Sequence, residues 1–171
     1  MVQFLPEAKD FGVSLNLLYE IMRSRTAEWF ETKVQYGKVQ EDGTQKKVTE
    51  LYVVDALSFT EAESRIIENM TPYISDGYKI KNITPANYHE VFFSDSMEDD
   101  KWYKAKLAFI TIDEKTEKEK RSIVHYLVQA RSTDTAQKAI NDIMGKAMID
   151  YEVASISETK ILDVFEHHEK G

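Results

Sequence analysis

Trp29-Phe30-Glu31-Thr32-Lys33-Val34-Gln35-Tyr36 returns, at an offset of 73, as Trp102-Tyr103-Lys104-Ala105-Lys106-Leu107-Ala108-Phe109. Trp29/Trp102, Phe30/Tyr103, Lys33/Lys106, Val34/Leu107 and Tyr36/Phe109 match in chemistry, and self-similarity at a fixed period is the mark of a repeated structural unit. Further along, an offset of 74 pairs Lys46 with Lys120, Lys47 with Arg121, Tyr52 with Tyr126, Val53 with Leu127, Val54 with Val128 and Ala56 with Ala130. The match continues through Ser58/Ser132, Ala62/Ala136, Ile66/Ile140 and Met70/Met144. It then returns to 73 for Tyr78/Tyr151, Ile83/Ile156, Val91/Val164 and Phe92/Phe165. Two single-residue gaps, both where loops are expected, suffice to align the halves as an internal duplication.

Each half opens on alternation, Phe30-x-Thr32-x-Val34-x-Tyr36 and Tyr103-x-Ala105-x-Leu107-x-Phe109, the period of a half-buried strand. Asp42-Gly43 supplies a turn into a second strand at about 48–57, and the charged stretch Asp113 to Glu119 leads into its counterpart at about 123–130. Ser58 and Ser132 stand where a hydroxyl caps the exposed amides of a starting helix. The expected inward stripes are Phe59, Ala62, Ile66 and Met70, and Ala136, Ile140, Ile143 and Met144. Gly145 is expected near the end of the second helix. Third strands at about 78–83 and 151–156 follow, then short extended pieces at 88–93 and 161–165.

The predicted class is α+β: two tandem β-β-α-β repeats with antiparallel sheets, related by a pseudo-two-fold axis, packed sheet to sheet or merged in one sheet. The expected divisions are a leader at 1–27, repeats at 28–93 and 102–165, an acidic linker at 94–101 and a tail at 166–171. In the leader, Leu15, Leu18, Tyr19 and Met22 fall at helical spacing behind Ser14. The alternative is that Met22 is the natural start.

With 171 residues, 42% of them hydrophobic, the chain is long enough to bury a core of its own. The absence of Cys removes disulfides, thiolate metal sites and cysteine nucleophiles together, and fits a reducing cytoplasm. No apolar run approaches a membrane span, so no membrane is expected. A net charge of -8 argues against duplex nucleic acid as the main partner.

Several stretches resemble the family called Domain of Unknown Function 4494. They include 29–36, Lys46-Lys47-Val48-Thr49-Glu50, 54–63, Met70-Thr71-Pro72-Tyr73-Ile74, Glu90-Val91-Phe92-Phe93-Ser94-Asp95, Lys101-Trp102-Tyr103-Lys104 and Asp163-Val164-Phe165. The resemblance covers about 28–165 and implies short proteins of gut anaerobes and their phages or mobile elements. Members begin a few residues before the first Trp, so the leader departs from the pattern. The family carries no activity from which a catalytic residue could be transferred.

None of the four His is matched between the halves, which excludes a duplicated catalytic His. His125 reads as structural, and His167-His168 as part of the tail. No Gly-rich phosphate loop, nucleophile elbow or converging carboxylates appear, so an enzyme, a cofactor and a metal are not expected. The candidate binding residues are Trp29, Lys33, Trp102 and Lys106, with Lys104, Lys120 and Arg121. Alternation turns each Trp and Lys pair to one sheet face, where an aromatic beside a cation can stack a base and neutralise phosphate, the alternative being that both Trp cap the hairpin by packing on a neighbouring element. The expected function is a non-enzymatic interaction module whose partner is another protein or a second copy. Single-stranded nucleic acid is the alternative partner, and a small hydrolase a third class.

Overall fold

The computed structural model describes residues 28–74 and 77–167; the leader helix expected near Leu15 to Met22 lies outside them. β1 (Glu28–Val39) and β2 (Gln45–Ala56) pair antiparallel from Glu28/Ala56 to Val39/Gln45. The turn between them forms where Asp42-Gly43 predicts it. The Asp42 carboxylate accepts from the Thr44 amide (3.0 Å) and hydroxyl (2.6 Å), and Gly43 takes φ +85°, which any side chain would strain.

α1 (Phe59–Met70) starts on Ser58, whose Oγ accepts the Glu61 amide at 3.1 Å. α2 (Thr133–Ala147) starts on Ser132, which takes the Thr135 amide at 3.1 Å from the same backbone angles, φ -155° and ψ 166°. Replacing Ser58 or Ser132 by Ala should therefore cost each helix about 1 kcal/mol, read as a comparable fall in thermal midpoint for the two variants. The buried stripes are Ala62, Ile66, Met70 and Ala136, Ile140, Met144. Phe59 departs from expectation. It is 54% exposed at the start of the helix and meets the core ring of Phe30 edge-on. Gly145 lies near the end of α2, as expected; the helix runs to Ala147 and is closed by Met148 at φ 52°.

β3 (Lys79–Ala86) pairs with β1, β5 (Lys101–Ile112) pairs with β6 (Glu119–Ala130), and β7 (Asp150–Glu158) pairs with β5. Both outer strands carry an irregularity at corresponding places, between Lys33 and Val34 opposite β3 and between Lys106 and Leu107 opposite β7. The expected three-stranded antiparallel sheets are in fact two separate four-stranded ones, of order β3-β1-β2-β8 and β4-β6-β5-β7. The fourth strand comes from the other half of the chain. β4 (Glu90–Phe92) lies parallel to β6, with Val91 and Phe92 opposite Leu127 and Val128. β8 (Ile161–Phe165) lies parallel to β2, with Val164 and Phe165 opposite Val53 and Val54.

The reason is chain direction. β3 runs the same way as β2, so a strand parallel to β2 must begin at the end of the sheet where β3 began. Residues 87–89 are too few to travel back along β3. The compact units consequently differ from the sequence halves. Of the described residues, one unit takes 28–87 with 160–167, and the other takes 88–159.

Each unit has its own core between helix and sheet. Phe30, Val34, Tyr52, Val54 and Ala56 meet Ala62, Ile66, Met70 and Ile74 in one. Tyr103, Ala105, Leu107, Tyr126, Val128 and Ala130 meet Ala136, Ile140 and Met144 in the other. Each fully buried aliphatic side chain contributes about 1.5–3 kcal/mol, so these two layers are the main source of stability. On the sheet faces turned from the helices, Trp29, Val53 and Asp55, and Trp102 and Leu127, are buried as well. Among the described residues no helix is long and apolar enough to cross a membrane.

Candidate interaction surfaces

The residues singled out in the sequence divide sharply. Trp29 is 5% exposed and Trp102 1%, with the Phe93 ring edge-on to Trp102 at 5.3 Å, so neither can offer a nucleobase a stacking face. Alternation assigned the two side chains to the correct face, yet that face is covered at this end of each sheet. Arg121 is exposed but engaged. Its guanidinium grips Glu152 through two hydrogen bonds of 2.7 and 2.9 Å, and this fork holds the Glu152 carboxyl below its ordinary value. Lys120 is exposed on the far arm of the second hairpin. Lys33 is exposed between Leu51 and Asn82 in the register of its sheet. Lys104 and Lys106 are exposed on one face of β5, Lys104 with its Nζ 5.8 Å from the Tyr88 ring centre and Lys106 directly across from His125. Burial first, then the charges of Lys104 and Lys106, hold the His125 imidazole below its ordinary value.

A groove runs between the start of α1 and β3. Its volume is about 700 Å³, and it is lined by Phe59, Thr60 and Glu63 from the helix and by Lys79, Ile80, Lys81, Asn82 and Ile83 from the strand. Among the described residues β3 is an outermost strand of its sheet, with no strand neighbour on one side of its backbone. Lysines, Pro85 and the irregularity near Lys81 discourage indiscriminate edge pairing. The exposed Phe59 ring nevertheless gives the groove an apolar wall.

The tail residue His167 proves to be anchored. Its backbone N donates to Asp55 Oδ1 at 3.0 Å, and its Nδ1 lies 3.1 Å from the same oxygen. Asn69 Nδ2, which also donates to the Arg65 carbonyl at 2.7 Å, lies 3.1 Å from His167 Nε2. An amide NH₂ can only donate, so Nε2 accepts and the proton sits on Nδ1, where it is given to Asp55. Arg65 donates to the Asp55 carbonyl at 2.5 Å and pairs with Asp55 Oδ1 at 3.3 Å and with Glu61 at 2.5 Å.

Both imidazole nitrogens thus have partners, which makes the group a clasp on the end of β8. In the other unit the corresponding bond is neutral, Ser94 N to Gln129 Oε1 at 2.9 Å. Sequence reading missed the clasp because its members lie far apart. The available signal was the row Glu61, Arg65, Asn69 at helical spacing beside the core stripe. The acidic linker is likewise partly fastened, Ser94 Oγ donating to Asp99 at 2.5 Å and Arg131 pairing with Glu98.

Among the described residues no cluster of three or more His, Asp or Glu side chains is placed to hold a metal ion. No curated protein matches the chain. A family model described as Domain of unknown function (DUF4494) matches residues 28–167, which include all ten strands and helices described above, and the chain belongs to that family.

Proposed function

We propose that the chain is a non-enzymatic interaction module, and that its working surface is the groove between α1 and β3. Its partner on this reading is an extended protein segment in which acidic and apolar residues alternate. The observation that carries the reading is a 54% exposed phenylalanine placed beside an outermost strand, in a groove that also holds Lys79 and Lys81. A peptide added along a strand edge gains main-chain hydrogen bonds, while its alternate side chains enter pockets. Here one set would meet Phe59, Ile80 and Ile83, and acids among them would meet the two lysines. The setting we assign is the cytoplasm of a bacterium or of phage-infected cells, in keeping with the family resemblance and the lack of cysteine. We also read the two halves as copies of one ancestral β-β-α-β segment. That reading is supported by the sequence offsets, the equal lengths of the four hairpin strands and the corresponding irregularities opposite Lys33/Val34 and Lys106/Leu107.

The test is selection of random phage-displayed peptides on the immobilised chain, with Phe59→Ser and Lys79→Glu plus Lys81→Glu as comparison targets. Peptides of mixed apolar and acidic character should be retained by the native chain and lost by both variants. If no peptide is enriched, or if the enriched ones bind all three chains alike, the groove is not the binding surface.

A further inference from the structure

A second surface, independent of the groove, lies on the helix-free face of the other sheet, where exposed side chains stand beside the buried Trp102 and Leu127. Strand register places His125, Lys106 and Ser155 side by side across β6, β5 and β7, and places Ser157 beside Lys104 one step along. Side chains directly opposite on neighbouring strands sit about 5 Å apart, so the five form one patch. Lys104 and Lys106 are exposed, and neither takes part in an ion pair among the described residues, whereas Lys101, Arg121 and Arg131 of the same unit all do. In a chain of net charge -8, two unpaired lysines flanking a histidine form a local excess of positive charge.

The fold does not require this excess. At the corresponding places in the other sheet, Glu31 stands for Lys104, Leu51 for His125, and Asn82 and Thr84 for the two serines, while only Lys33 keeps its charge. The same backbone therefore forms without the cationic row, and like charges gathered where packing does not need them call for an anionic ligand.

We propose that Lys104, Lys106, His125, Ser155 and Ser157 bind the sugar-phosphate backbone of a single-stranded nucleic acid without reading its bases. Residues two apart on a strand are separated by about 7 Å, which suits lysines engaging successive phosphates of an extended single strand. The serine hydroxyls and His125 add donors to phosphate oxygens beside the two ammonium groups. Base recognition is absent because the nearest large aromatics on this face, Trp102 and Tyr88, are buried.

The test is fluorescence anisotropy of a labelled oligothymidylate titrated with the full chain at several salt concentrations, using the native protein, Lys104→Gln plus Lys106→Gln, and Lys33→Gln. The double variant should bind more than ten-fold more weakly at low salt, and its plot of log affinity against log salt should be shallower by about 1.4, two contacts at about 0.7 each. Lys33→Gln should change neither quantity, and an oligoadenylate should bind the native chain as oligothymidylate does. Unchanged thermal midpoints certify that the variants fold, as expected for exposed lysines. The proposal is overturned if the native chain does not bind at low salt, if the double variant keeps the native salt slope, or if polyglutamate competes as well as the oligonucleotide. None of these results depends on the peptide groove, whose own variants leave this face intact.

Discussion

A chain ended at Lys160 will lose the ordered structure of the β1-β2 sheet while keeping that of the β5-β6 sheet. The truncation removes β8, whose Ile161 and Val164 are 4% and 5% exposed and whose Phe165 stacks on Tyr52 at a ring separation of 5.7 Å. It also removes His167, the outer member of the Asp55 clasp. Two buried aliphatics at about 1.5–3 kcal/mol each, with the lost aromatic contact, amount to roughly 5 kcal/mol, which matches the lower end of a domain's entire net stability. β2 would be left as an outermost strand presenting Tyr52, Val53 and Val54, residues now buried. The other unit keeps all its strands, because β4 to β7 lie within residues 88–159. Hydrogen exchange read by mass spectrometry should show protection collapsing over 28–86 and persisting over 101–158. Native protection across 28–86 in the truncated chain would contradict the energetic role given to β8.

Asp55→Ala is expected to destabilise the chain by about 3 kcal/mol, a fall in thermal midpoint on the order of 10 °C for a chain of this size. Asp55 is 4% exposed, and its Oδ1 meets three donors, from the His167 backbone, the His167 ring and Arg65. Removing it strands a guanidinium and an imidazole N–H in a half-buried position, and the stranded donors account for most of the cost. The loss stays at the lower end of the range for broken buried pairs because Glu61 still neutralises Arg65. Gln129→Ala removes the counterpart contact, a single neutral hydrogen bond from Ser94, and should cost only about 1 kcal/mol. Equal losses for the two variants, measured by thermal melts at one pH, would show that the charged clasp adds nothing to the plain bond.

Local chemistry was readable because it is local. Ser58 and Ser132 cap helices three residues ahead, Asp42-Gly43 turns between adjacent strands, and the alternation around Val34 and Leu107 places those residues in the two cores. Pairing partners were not readable. Val91 and Phe92 look alike whether they close their own sheet or another, and a strand of three residues carries too little pattern to choose. Whether Trp29 and Trp102 pack or bind was open for a related reason, since alternation fixes which face a side chain takes and says nothing of what covers that face. His167 answers to an aspartate 112 residues earlier, a distance over which no spacing rule operates. Of the nominated binding residues, Lys104 and Lys106 remain exposed, Arg121 is taken by Glu152, and the tryptophans belong to the interior.

The exchange of β4 and β8 also sets an order for vectorial synthesis. At about 5–20 residues per second the ribosome delivers β1, β2, α1 and β3 before the second sheet, yet the strand that must seal β2 follows every other described element. The second sheet, whose members all lie between Glu90 and Glu158, can close before the first. Throughout that interval the β2 edge is an open template for any parallel strand of suitable sequence. Neighbouring ribosomes on one message hold such strands close by, and a β8 donated by one nascent chain to the β2 of another would yield an interlocked dimer with every native strand contact satisfied. The proportion of such dimers should then rise with the density of ribosomes on the message.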